Sequence, residues 1–159
     1  MRNFLKDFSD YIKSLAISHI DIAHSDEAKH YFRGEVEEFF QNLRSEVCFP
    51  CVVLESCEVE YKNGAPSFQK VRNTAFIVVA DYDQIDDFNE IQNKLSLCEK
   101  IGEEFIGRIE DDNIFRIDMG SVVATYMQNQ QQRYVGCRFA FSISEQACIH
   151  NPGAWLCKK

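Results

Sequence analysis

The chain has 159 residues, of which 45% are apolar and 26% charged, and its net charge is −8. A chain of this length can bury enough surface for one core without staples, and 13% aromatic residues argue against disorder. The acidic balance disfavours direct binding of nucleic-acid phosphates, and no apolar run reaches the length of a membrane span.

The segment Met1-Arg2-Asn3-Phe4-Leu5-Lys6-Asp7 lacks the apolar core and small-residue cleavage site of a signal peptide, which predicts a protein that stays in the cytoplasm where it is made. The seven cysteines are odd in number, and in a reducing compartment they read as free thiols.

In chain order, Phe4, Phe8, Ile12 and Leu15 recur at helical steps and predict an amphipathic helix over 3–23. Ser25-Asp26-Glu27 has the chemistry of a helix start. A second helix is expected to run from there to about Val47, with Phe32, Val36, Phe39, Phe40 and Leu43 inward. From Cys51 to Tyr61 the pattern is that of a strand, with Cys57, Val59 and Tyr61 on one face. Asn63-Gly64 marks a hairpin turn, lengthened by Ala65, Pro66, Ser67 and Phe68. A second strand follows over about 71–80, and its unbroken apolar run predicts cover on both faces.

Asp81, Asp83, Asp86 and Asp87 then lead into a long helix with the stripe Phe88, Ile91, Leu95, Cys98, Gly102, Phe105 and Ile109. Gly102 on that stripe is expected to admit a close-lying backbone. Two further strands are expected over 114–127 and 133–144, joined by a glutamine-rich connection. The predicted order is α-α-β-β-α-β-β. It describes one α+β domain over 1–159: a helical segment 1–47, a four-stranded mainly antiparallel sheet with one long helix over 51–144, and a tail over 145–159. In that tail the lone Trp155 reads as an anchor to the body.

No constellation of acid, base and nucleophile stands out, so no catalytic, cofactor-binding or metal-binding residue is assigned and the chain reads as a non-enzyme. Cys48-Phe49-Pro50-Cys51 has the spacing of a zinc knuckle or redox pair. It sits at an expected helix end and strand start, and the other sulfur and imidazole groups, Cys148, His150 and Cys157, do not make a compact second knuckle. His19, His24 and His30 are not spaced to share a helix face. The acids at 81–87 suit helix capping, and Asp111-Asp112-Asn113 lacks the pattern of a calcium loop.

The layout, with its helical lead to Glu46, a hairpin at Asn63-Gly64, a long helix to Ile109 and a closing hairpin, resembles tail-terminator and related head–tail completion (neck) proteins of tailed bacteriophages. The run from Tyr134 to Ile143, followed by Asn151-Pro152-Gly153-Ala154-Trp155, is similar to the C-terminal strand and tail of small proteins of Bacteroidetes-type phages and prophages. The resemblance implies a structural protein of the virion that assembles with itself into a ring, often a hexamer. The ring would cap the tail tube and join it to the neck, with DNA passing through the lumen and no cofactor required. It also implies that the loop Asn63, Gly64, Ala65, Pro66, Ser67 and Phe68 is an arm that touches the tube or a neighbouring subunit. Two leading helices in place of one point towards a neck adaptor. The residues alone leave two other readings open: a cytoplasmic module that binds one protein partner through a sheet edge, and a zinc-stabilised domain or metal-dependent enzyme using Cys48, Cys51 and Cys148.

Overall fold

A computed structural model describes residues 3–34, 47–63, 68–84 and 87–146. The protein is α+β. Among the described residues, two helices, α1 (Phe4–Ser18) and α2 (Phe88–Asp112), lie on a mixed six-stranded sheet: β1 (Lys29–Arg33), β2 (Val47–Leu54), β3 (Glu58–Asn63), β4 (Phe68–Asp81), β5 (Ile117–Asn129) and β6 (Tyr134–Gln146). The sheet order is β1-β2-β4-β6-β5, and β3 pairs with the first half of β4.

α1 is capped by Asn3, whose Oδ1 accepts the Lys6 N–H at 3.3 Å. It ends before the expected residue 23 because His19 takes an extended conformation. Ala23 then adopts φ 46°, and the His24 N–H returns to the Ala16 carbonyl at 3.0 Å.

The expected second helix does not begin at Ser25. The Ser25 Oγ does accept the Ala28 N–H, as a cap would, but the Ser25 N–H also donates to the Ala28 carbonyl, both at 3.0 Å. The same side-chain chemistry therefore closes a turn. Residues 29–33 form β1, which pairs in parallel with β2 and makes the sheet mixed. Tyr31 joins the helix-side core and Phe32 the opposite cluster, as the period of a strand requires. The rest of the expected helix, 35–46, lies outside the described residues, as do Gly64, Ala65, Pro66, Ser67 and Trp155.

The expected first strand of the hairpin is two segments, β2 and β3. Pairing with β4 runs to Asn63↔Phe68, so the connection is shorter than the expected loop. The expected central strand, β4, is buried on both faces from Thr74 to Ala80.

Helix α2 follows the expected pattern closely. Asp87 Oδ1 accepts the Asn89 and Glu90 N–H groups, each at 3.0 Å, while Asn113 in the left-handed region returns its N–H to Ile109. Ile91, Cys98, Gly102, Phe105 and Ile109 are buried, joined by Ile101 and Ile106. Phe88, at the start of the expected stripe, is 75% exposed. Beneath the helix, Phe76 stacks on Phe139 with ring centres 5.4 Å apart. The neighbour that Gly102 admits is the Phe139 ring rather than a backbone. Among the described residues no helix is long and apolar enough to cross a membrane.

Candidate functional site

Two strand irregularities face each other across the sheet. From Leu54↔Phe76 to Glu58↔Asn73, the edge advances one residue more than β4, a β-bulge at 55–57. On the other side, β5 carries extra residues between Asp118↔Ser142 and Val123↔Ala140. Side chains replace the lost ladder bonds there. The Ser121 Oγ donates to the Asp118 carbonyl at 2.6 Å and accepts the Ser142 N–H at 2.8 Å.

Between the bulges, on the face away from the helices, lies an open depression of about 740 Å³. Its dominant feature is an ion pair. Arg138 Nε donates to the Glu55 carboxylate at 3.0 and 3.1 Å, and a terminal guanidinium nitrogen donates at 2.7 Å. The Glu55 side chain is 13% exposed and that of Arg138 38%. The hydrogen bonds to Glu55 push the Arg138 pKa further up, so the guanidinium stays charged. Nearby, the Ser142 Oγ donates to Asn73 Oδ1 at 2.8 Å, and Asn73 Nδ2 donates to Glu60 at 3.1 Å.

The central polar groups of this depression are paired with one another. The Ser121 and Ser142 protons have acceptors that are poor bases: a backbone carbonyl and an amide oxygen. Glu55 is held by Arg138, and the lining includes no histidine. A group without a base beside it is not activated as a nucleophile.

A second concavity, about 800 Å³, lies between α1 and α2. Tyr11 Oη donates to Asp112 at 2.9 Å, and Arg108 pairs with the same carboxylate. Burial, reinforced by Asp112, raises the Tyr11 pKa and keeps the phenol protonated. At the other end His19, Asp21 and Glu104 bring possible ligand atoms within 4.8 Å of one another. Spacing in sequence gave no sign of this cluster, because Glu104 comes from the other helix. His19 Nδ1 accepts the Asp21 N–H at 3.2 Å, so Nε2 carries the proton given to Glu104 at 2.8 Å. Lys100 lies 3.4 Å from Asp21 and 3.8 Å from Glu104. With both ring nitrogens engaged and a cation between the carboxylates, the cluster ties the end of α1 to the body of α2 rather than caging a metal.

The Cys48/Cys51 pair lies inside β2, with Cys48 near the expected strand start; the expected helix end before it lies outside the described residues. Val47, Phe49, Cys51 and Val53 belong to the cluster on the helix-free face, of which Cys48 is not a part. Burial raises the pKa of Cys51, and it pushes Cys98 up to about 12 and Cys137 up to about 11. These thiols are protonated at neutral pH. Cys148, His150 and Cys157 lie outside the described residues.

His24 is buried, and its Nδ1 accepts the His30 N–H at 3.0 Å. Burial first, then Lys13 and His30, hold its pKa below the ordinary 6.5. The folded state therefore favours the neutral ring, and the unfolded chain takes up the proton first as pH falls. The resulting stability is fully present above 6.5 and is lost as pH falls through the lower folded value. Urea titrations at about pH 7.5 and about pH 5.5 should show a smaller acid-side loss for His24→Asn than for the unmodified chain. Equal losses would contradict this assignment.

No protein-family model matches this sequence, and no curated protein matches it either.

Proposed function

We propose that this protein is a structural subunit of a phage or phage-like particle: a tail terminator or head–tail connector that assembles into a ring capping the tail tube and joining it to the neck. The observation that carries this reading is that, among the described residues, one sheet ends in unlike outer strands, β1 and β3 on one side and β5 on the other. A head-to-tail contact needs two unlike surfaces on opposite sides of a subunit, and repeating it with a fixed rotation closes a ring.

The layout supports the same reading. The long α2 and the closing hairpin of β5 and β6 follow the order on which the resemblance rests, whereas β1 interrupts the helical lead expected up to Glu46. In both concavities the leading polar groups pair with one another, Glu55 with Arg138 and Tyr11 with Asp112, as side chains that hold a surface in shape do. The net charge of −8 suits a lumen through which DNA slides without sticking.

Negative-stain imaging of the purified protein should show closed rings with a central opening, and labelled protein should sit at the tail or neck of the native particle. Isolated small particles, with no label on the particle, would reject the reading. A protein that stays monomeric yet binds one extended peptide at its sheet edge would instead be the protein-binding module.

A further inference from the structure

We infer that the outer edge of β5 is a strand-addition site, and that its occupant is β1 of a second copy of this chain, laid antiparallel to it. This inference rests on the ring reading and names the contact that would build it.

The first observation is what β5 lacks. Edge strands are normally blunted by charge, proline or a bulge, because an unpaired row of N–H and C=O groups templates pairing. From Met119 to Gln132 this chain has no charged residue and no proline. The bulge disrupts only the beginning of β5, and from Val123 to Asn129 the strand pairs regularly with β6. Val123 is 58% exposed and Tyr126 57%. On the opposite side of the sheet β3 is blunted by Glu58, Glu60 and Lys62, whereas β1 carries neither an acid nor a proline.

The second observation is alignment. Tyr31, Val52, Val78, Cys137 and Tyr126 form one continuous row of partners across the sheet, as do Arg33, Leu54, Phe76, Phe139 and Ala124. The two outer edges therefore end at the same level. A neighbouring copy set beside β5 brings β1 to the uncharged segment without an offset. The strand directions agree: β1 runs with β2 and against β4, while β5 runs with β4, so the new pair is antiparallel.

The third observation is charge. Strand β1 carries Lys29 and Arg33 and no acid. On the helix side of β5, Glu99 accepts the Tyr126 hydroxyl at 2.8 Å, and Glu103 follows one turn along α2. Arg33 and Tyr31 also lie on the helix side, since Tyr31 Oη bonds the Ser9 carbonyl of α1 at 3.1 Å. Lateral addition thus sets Arg33 of one copy near Glu103 of the next. Asp10 of α1 stands close to Tyr31, so the complementarity belongs to the strand rather than to that whole end of the molecule.

The test is a set of variants read by sedimentation velocity over a concentration series, with circular dichroism confirming the fold. Val123→Lys places a charge on the bare edge and should raise the concentration needed for assembly at least about tenfold. Glu103→Arg and Arg33→Glu should each weaken assembly several-fold, and the double variant should recover most of the loss, as a charge swap does across a direct contact. If the unmodified chain assembles but Val123→Lys assembles equally well, or the double variant recovers nothing, this interface is wrong and the ring reading stands. If the unmodified chain never assembles, both fall.

Discussion

Phe76→Ala should remove about 3–5 kcal/mol of stability, the range for truncating a large buried aromatic. Phe76 has no exposed surface and lies on the central strand, directly under α2. Its ring stacks on Phe139, meets Phe105 at 5.6 Å and Phe141 at 6.0 Å, and so joins the helix to two strands. Neither strand can move into the gap, because β4 and β6 pair continuously from Gln69↔Gln146 to Asp81↔Tyr134. The cavity stays open and its lining loses contacts outright. Urea denaturation would measure this, with Phe88→Ala as the control. That phenyl group is 75% exposed, and its loss should change stability by no more than about 0.5 kcal/mol.

Two glycines on α2 provide the second test, in which one substitution should change sign between two sites. In a helix interior, glycine costs about 1 kcal/mol relative to alanine. At Gly107 a Cβ meets nothing within 4 Å, so Gly107→Ala should stabilise by about 0.5–1 kcal/mol. At Gly102 the same Cβ would overlap three atoms of the Phe139 ring. That ring is held by its stack on Phe76 and cannot swing aside, so α2 must lift from the sheet. Overpacking of this kind costs about 1–3 kcal/mol or more and outweighs the helical gain. Gly102→Ala should therefore destabilise while Gly107→Ala stabilises. Thermal melts of both variants decide it, and a gain at Gly102 would show that the helix–sheet contact is looser than described.

How much of this was legible depended on whether the deciding contact was local. Helix α2 could be read because its cap, its apolar stripe and its terminating Asn113 all lie within one segment. The closing hairpin could be read from the alternation of Phe139, Phe141 and Ile143 with Arg138, Ala140 and Ser142. Strand β1 could not, because Ser25 and the acids after it serve a turn as well as a helix, and parallel pairing with β2 is a long-range event. The stripe also overreached at Phe88, where periodicity continues past the end of the covering sheet.

The depression was invisible for a related reason. A bulge is a mismatch between two registers, so Glu55–Ser56–Cys57 looks like continuous strand until β4 is laid beside it. The pair Glu55–Arg138 joins residues 83 apart in sequence. The tie of His19 and Asp21 to Glu104 likewise needs α1 and α2 in place. Of the proposed contact loop, Asn63 and Phe68 close the β3–β4 pairing, which the Asn63-Gly64 signal did indicate.

Assembly by unlike sheet edges is the central claim, and the native mass of the unmodified chain tests it most directly. Sedimentation velocity across a hundredfold concentration range, combined with native mass spectrometry, should find one dominant species at a fixed multiple of 18.4 kDa, three copies or more, that grows no further as concentration rises. An 18.4 kDa monomer at every concentration, or open-ended growth without a closed species, would contradict the account.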